Sequence, residues 1–493
     1  MAITHELLID GKEQAAQSGR TMPVINPSTG AMYATVAAAG VQDVSSAVDA
    51  AHAAFEDWAR TDPFTRRAIF VNAADLMEQR REQVVDLMAG EVGATRLWAS
   101  FNVTLAATML REAAALITAP RGEVLTTPHE GALSLAVREP LGVVAAFSPW
   151  NAPVILGTRA VAAALAAGNT VVLKPSEVAP LSAGLLIGEV LRDAGLPDGV
   201  LNVITNDPAD APHIAEALIA HTAVCAVNFT GSTHIGRIIG ELAARHLKPA
   251  LLELGGKNAV IVLDDADVDY AVDAAAFAAF MNSGQICMSA DRILVHESLA
   301  EEFTAKFTAK VAALPSGDPT DPAAVIGPLV NTDPDQRCGL FAARRIAALV
   351  EDAVAKGATV LVGGENEDAV HPATVLSAVP AHADLHTAEA FGPVCVVDTF
   401  ADDDEAVAMA NDTDQGLTAG IITENGTHGL RVAQRLRTGI VHINDQSVAD
   451  DPQAPFGGVK SSGYGRFGGR WGMEAFSNTR WITLATQHAS YPF

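Results

Sequence analysis

Cysteine, aromatic residues and long apolar runs are all scarce in this chain, and each scarcity removes a class of function. The four cysteines, Cys225, Cys287, Cys338 and Cys395, lie far apart, with no CxxC pair and no secretory leader in residues 1–11. That reads as a reducing, cytoplasmic setting rather than a disulfide scaffold. Apolar runs such as 161–167 are far too short to span a bilayer. Aromatics make up 5% of residues, so Ala, Val, Leu and Ile must fill most of the core. Basic residues are also few: 32 Lys and Arg face 58 Asp and Glu, a net charge of −26. This argues against nucleic acid or an anionic membrane surface as the main partner.

What remains is a large folded chain. At 493 residues, 49% hydrophobic and 18% charged, it exceeds one hydrophobic core, and two or three domains are expected. The clearest α/β alternation starts near residue 142. Apolar strand runs at 142–147, 170–173, 200–204 and 224–229 are separated by helical patterns at 155–167, 182–194 and 212–220. This is the pattern of a parallel sheet covered by helices on both faces. A second α/β unit follows, with strands at 259–263, 292–295, 359–362, 394–397, 417–422 and 440–443 and helices including 270–281, 298–312, 335–356 and 427–437. Residues 133–138 alternate and end at Pro140, as an edge ribbon would. A second alternating stretch at 481–484 suits pairing with it or with another subunit's edge.

The best candidate nucleophile is Cys287, within Gly284-Gln285-Ile286-Cys287-Met288-Ser289. A carboxylate, Glu253, stands 34 residues upstream before Gly255-Gly256. On local sequence a reactive thiol and a small buried hydrophobe stand level for Cys287, because reactivity depends on surroundings. Cys225 and Cys395 sit in apolar strands and read as core, and Cys338 as a helix cysteine without a role. In Phe229-Thr230-Gly231-Ser232-Thr233-His234-Ile235-Gly236, free N–H groups near Ser232 suit an anion, but an ordinary strand–helix turn fits as well. Asp264, Asp265, Asp267 and Asp269 lack calcium-loop spacing and read as a turn with a helix cap. His382 and His386 lack an HExxH glutamate, so no metal site is expected.

Taken together, seven segments resemble the aldehyde dehydrogenase superfamily, in the family order and across essentially the whole chain. They are Phe147-Ser148-Pro149-Trp150-Asn151, Lys174-Pro175-Ser176-Glu177, Phe229-Thr230-Gly231-Ser232-Thr233, Glu253-Leu254-Gly255-Gly256, Gly284-Gln285-Ile286-Cys287, Glu389-Ala390-Phe391-Gly392-Pro393, and Pro455-Phe456-Gly457-Gly458-Val459-Lys460-Ser461-Ser462-Gly463. The resemblance implies a Rossmann-like dinucleotide-binding domain (1–122 and 141–253), an α/β catalytic domain (254–455) and a small oligomerisation ribbon (123–140 and 470–493), assembled as a homodimer or homotetramer. It also implies that Cys287 adds to the aldehyde carbon. The side-chain amide of Asn151 and the N–H of Cys287 would hold the oxyanion, and Glu253 would activate water against the thioester.

By the same resemblance, Trp150, Lys174, Glu177, Gly231, Ser232, Glu389 and Phe391 contact the cofactor. A carboxylate at Glu177 accepts a ribose 2′-hydroxyl and repels a 2′-phosphate, which favours NAD, with NADP the weaker alternative. The segments Gly463-Tyr464-Gly465-Arg466-Phe467-Gly468-Gly469 and Arg480-Trp481-Ile482-Thr483 are similar to the branch acting on aromatic aldehydes such as benzaldehyde, salicylaldehyde and vanillin. His442-Ile443-Asn444-Asp445-Gln446-Ser447 departs from that branch, which leaves the ring-substituent preference open. Expected pocket residues are Ala152, Phe280, Met281, Asp450 and Phe456. The alternative within the superfamily is an aliphatic or semialdehyde substrate. The room left by Ala152 suits a bulky aliphatic group equally, none of these residues is cationic, which weighs against a semialdehyde, and Glu253 weighs against coenzyme A as acceptor. A non-catalytic relative would not need Cys287, Glu253 and Asn151 together.

Overall fold

The computed structural model describes residues 4–331, 339–364 and 369–493. Cys338 and the start of the helix expected from 335 lie outside them. The continuous apolar runs fold into strands buried on both faces: β1 (Val143–Ser148), β2 (Thr170–Pro175), β3 (Val224–Thr230) and β4 (Ala250–Glu253). With Leu201–Val203 they form the parallel centre of an eight-stranded sheet, in the order β4-β3-β1-β2-(201–203). Short antiparallel strands close both edges, Leu7–Ile9 with Lys12–Gln14 on one side and Gly463–Tyr464 on the other.

The strand order positions the site. From β1 the chain moves outward to β2 and Leu201–Val203, then returns to the other side of β1 for β3 and β4. The boundary between β1 and β3 is thus a topological switch point, where loops diverge and leave a crevice at the carboxyl ends of the strands.

Among the helices around this sheet, four bear on the site: α1 (Arg81–Val92), α2 (Arg96–Leu116), α3 (Pro153–Ala167) and α4 (Thr233–Arg245). Helix α3 is buried nearly all round, so its sequence is apolar on every face. The helix expected at 182–194 opens as a π-turn, Leu181–Leu185, before becoming regular at Leu186–Asp193.

A linker of four residues, 254–257, leads from β4 into the second sheet. Its central strands are β5 (Asn258–Val262) and β6 (Ala290–His296), joined by α5 (Val268–Phe280). The seven strands run in the order 359–362, 374–377, 394–400, β6, β5, 418–422, 440–443, parallel except for the first pair. Alanines of α5 and the rings of Phe280, Phe303 and Phe307 fill one side of it. The expected ribbon is a three-stranded antiparallel sheet in which Ala132–Pro140 is central, with Trp481 of Ser477–Ala485 opposite Ala136. Among the described residues no helix is long and apolar enough to cross a membrane. The carboxyl ends of β1 to β4 thus come up against the segments that precede β5, β6 and Val394–Phe400.

Candidate active site

The cysteine loop is held in an expensive conformation by many side chains. After α5 ends, Asn282, Ser283 and Gly284 take φ of 51°, 56° and 70° in succession. Left-handed backbone costs an ordinary residue about 1 kcal/mol or more, so surrounding bonds must enforce it. Asn282 Nδ2 donates to Asn151 O at 2.9 Å, and Ser283 Oγ bonds both the carbonyl and the N–H of Gly327. Gln285 Oε1 accepts from Val330 N at 2.8 Å. Asn258 Nδ2 donates to the carbonyls of Cys287 (2.8 Å) and Ser289 (2.9 Å). A Cβ at Gly284 would lie 2.1 Å from Gly392 O, so only glycine fits there. The main chain around Cys287 is therefore over-determined, and its half-buried thiol is left facing Glu253.

Asn151 follows β1 and is anchored by its own carbonyl, which accepts from Trp98 Nε1 of α2 at 3.0 Å as well as from Asn282. Its side-chain Nδ2 donates to Gln285 O at 3.0 Å, placing the amide on the cysteine loop. Trp98, Asn258 and Asn282 were not singled out from the sequence. They come from three elements distant in the chain, and only the closed fold brings them to one point.

Glu253 ends β4. It is 1% exposed, and neither of its oxygens has a hydrogen-bond partner. Burial pushes its pKa from 4.5 up to about 7, against the opposing pull of Arg159 and of the Cys287 thiol. The thiol is itself raised, first by burial and then by the nearby Glu253 carboxylate. A buried carboxylate with both oxygens unpartnered, poised near neutrality beside a thiol, can move a proton.

Arg159, Ala162 and Ala163 of α3 line a cavity together with α2 and the 450–469 segment. Ala152, Met281 and Phe456 lie in one apolar cluster with Ile286 and Met288. Asp450 is there too, ion-paired to Arg159, and the Arg159 guanidinium lies 4.1 Å from the centroid of Phe456. Arg159 corrects the expectation of a pocket without a cation, although its charge is met by a buried carboxylate. Phe280 is a second correction. It is fully buried in the core of the second sheet against Phe307, with ring centroids 6.3 Å apart. The chain leaves helical geometry at Met281, so the two neighbouring side chains point to different cores.

The cofactor candidates lie along the same edge. Lys174 Nζ, at the end of β2, is 2.5 Å from Glu177 Oε1, which also accepts from Asn206 at 3.2 Å. Burial alone would raise the Glu177 pKa, but Lys174 and Asn206 outweigh it and hold the group lowered. Ser232 caps α4, its Oγ accepting from Ile235 N, and Gly231 N donates to Glu253 O at 3.0 Å. Glu389 lies over the glycine pair: its Oε1 accepts from Gly256 N at 3.2 Å, and a Cβ at Gly255 would meet its Oε2 at 2.2 Å. Burial and Asp291 push the Glu389 pKa up to about 8. Phe391 meets Trp150 edge-on at 5.5 Å. The Lys174–Glu177 ion pair, an exposed helix start at the switch point and a buried carboxylate beside Glu253 together form a set of donors and acceptors that fits a dinucleotide.

The remaining candidates stay apart from this edge. Asp267 caps α5 by accepting from Tyr270 N, while Asp264 and Asp265 approach His428 to within 4.8 Å. His386 lies 3.6 Å from Asp412. Cys395 is buried in a strand, and Cys225 is half-buried.

Comparison with known proteins agrees over the full length. The family model described as "Aldehyde dehydrogenase family" matches residues 14–482. A vanillin dehydrogenase of Pseudomonas fluorescens is 50% identical over 486 residues, covering 99% of each chain. A salicylaldehyde dehydrogenase of Pseudomonas sp. strain C18 is 42% identical over 98% of each. The crystal structure of a salicylaldehyde dehydrogenase from Pseudomonas putida G7, complexed with salicylaldehyde, superposes with a TM-score of 0.95 at 40% identity over all of both chains. With a thiol, a raised carboxylate and a side-chain amide converging beside a dinucleotide-type crevice, this chain belongs to the aldehyde dehydrogenase family.

Proposed function

We propose that the protein oxidises an aromatic aldehyde of the benzaldehyde, salicylaldehyde or vanillin type to the carboxylic acid, with NAD as the electron acceptor. The observation that carries the chemistry is Glu253: a buried carboxylate, unpartnered, facing Cys287. The thiol loses its proton to Glu253 and adds to the aldehyde carbon, giving a thiohemiacetal. Asn151 Nδ2 and the N–H of Cys287 stabilise the oxygen as it becomes anionic. When bound, NAD supplies the hydride acceptor, which leaves a thioester on Cys287. Glu253 gives up the first proton to solvent and then takes one from water as the water oxygen attacks the thioester carbon; the departing thiolate recovers that proton as the acid is released.

Lys174 and Glu177 hold the adenosine ribose, Gly231 and Ser232 the pyrophosphate, and Glu389, with Phe391 and Trp150 beside it, the nicotinamide ribose. Glu177 is held ionised by Lys174, so it accepts from a 2′-hydroxyl and opposes a 2′-phosphate; NAD is preferred over NADP. An aromatic substrate is supported by the curated relatives, and by the apolar cluster that Cys287 packs against, which includes Ala152, Met281 and Phe456. A carboxylate-bearing semialdehyde is disfavoured because Arg159 is already neutralised by Asp450. Val124, Trp481 and Leu484 stand exposed on the ribbon, which supports self-association as a dimer or tetramer in the cytoplasm.

A kcat/KM panel of benzaldehyde, its hydroxy and methoxy derivatives and aliphatic aldehydes, run with NAD and NADP, tests this. Aromatic aldehydes with NAD lead the panel, and Cys287→Ala loses turnover by a factor of about 1,000 or more. Failure to reduce either cofactor with any aldehyde of the panel would sink the proposal.

A further inference from the structure

One fully buried carboxylate raised towards neutrality plays no part in the chemistry above. Glu91 occupies the last turn of α1. The carbonyl end of a helix repels negative charge, so the position is unfavourable for α1 itself. Its pKa is pushed up to about 7 by burial, and no cation offsets that; the opposing pulls all come from Leu181 and Ser182. Oε1 accepts from Leu181 N at 2.7 Å, and Oε2 accepts from Ser182 N at 2.8 Å and from Ser182 Oγ. These are the first N–H groups of the helical run that begins with the π-turn Leu181–Leu185, an end that favours negative charge. An isolated buried charge persists only when such donors satisfy it. The carboxylate therefore serves the second helix, not its own.

That helical run is tied into both halves of the cofactor crevice. Just before it is the 175–180 loop, which carries Glu177 beside Lys174. The loop is pinned to the end of β1 by Ser176 N donating to Ser148 O at 2.8 Å. In return Ser148 Oγ donates to Ala183 O, inside the π-turn, at 2.9 Å. Ser148 lies three residues before Asn151. A shift of the π-turn would move the Glu177 loop, whereas the Asn151 turn is held separately by Trp98 and Asn282.

We propose that Glu91 is a positioning residue for cofactor binding, holding the start of the 181–193 helical run so that the loop before it presents Glu177, beside Lys174 at the end of β2, to the adenosine ribose. This rests on assigning Lys174 and Glu177 to that ribose. In Glu91→Gln the side-chain N–H group faces a main-chain donor, so one donor is orphaned and the loop loosens.

The test is steady-state kinetics of the full enzyme. In E91Q the KM for NAD rises about tenfold, the order expected for a lost charge-assisted hydrogen bond. The aldehyde KM and kcat stay within about twofold of the parent, a split that general destabilisation does not produce. The E91Q/E177A double variant binds NAD about as tightly as E177A alone, because both act through one loop. An unchanged KM for NAD in folded E91Q, a parallel fall in kcat, or additive effects in the double variant overturn the proposal. An unchanged KM in E177A alone instead rejects the ribose assignment, and the split in E91Q is then read by itself. Should E91Q not fold, Ser182→Ala keeps the carboxylate and both N–H bonds; its KM for NAD rises two- to threefold, about what one weaker bond supplies, and no rise overturns the proposal.

Discussion

Glu177 and Glu253 are the same residue type at the same edge of the same sheet, one just after β2 and the other at the end of β4. Glu177 is paired to Lys174 and Asn206 and its pKa is lowered. Glu253 has no partner on either oxygen and is raised to about 7. The first is therefore held in its charged form, as the proposed recognition of a ribose hydroxyl requires, while the second sits where it can take and release a proton near neutral pH. Partners, not burial, separate a binding carboxylate from a basic one, since both are largely withdrawn from water.

The sharpest way to break this contrast is Glu253→Gln. An amide cannot accept the proton from water, so steady-state kcat falls about 100- to 1,000-fold, with a burst of NADH near one per site before slow turnover. Unchanged turnover would return the basic role to another group. On the other side, Glu177→Gln removes the charge while keeping the shape. The KM for NAD rises and the preference for NAD over NADP narrows, each by about tenfold. If the preference does not move, Glu177 is not the discriminating group.

The smallest effect is one of stability and pH. A carboxylate whose folded pKa is raised from 4.5 to about 7 destabilises the fold by about 3 kcal/mol. The sign follows from proton uptake. Between pH 7 and 4.5 the folded chain holds the proton and the unfolded chain does not, so the penalty is full above about pH 7 and fades toward 4.5. E253Q is accordingly more stable than the parent at pH 8, and the gap in Tm closes by pH 5. Over the same range the parent's kcat climbs with pH through about 7. A gap in Tm that does not change with pH would mean that the Glu253 charge is compensated by a group not seen beside it.

Much of the architecture was legible because its signals are local. Continuous apolar runs between 143 and 230 read as parallel strands, since strands buried on both faces cannot alternate, and the order of seven short segments pointed to Cys287, Glu253 and Asn151. The π-turn at Leu181–Leu185 was not legible, because one widened turn leaves the helical spacing of apolar residues almost unchanged. Phe280 packs in the core of the second sheet while its neighbour Met281 joins the cluster that Cys287 packs against, and the break in helix geometry between them has no sequence mark.

The chain's sequence alone singled out Cys287, Glu253 and Asn151 as candidates for nucleophile, base and amide, and indicated that strands would bring their carboxyl ends to one edge. Periodicity and short segment identity are properties of neighbouring residues. Only the tertiary structure decided the electrostatics: that Arg159 is already paired to Asp450, that Lys174 answers Glu177, that Glu91 plugs a helix from another element, and that Glu253 meets only the pull of Arg159 and of the Cys287 thiol. Each is set by a partner across the fold, or by the lack of one, and a charge in low dielectric is governed by what stands within a few ångströms of it.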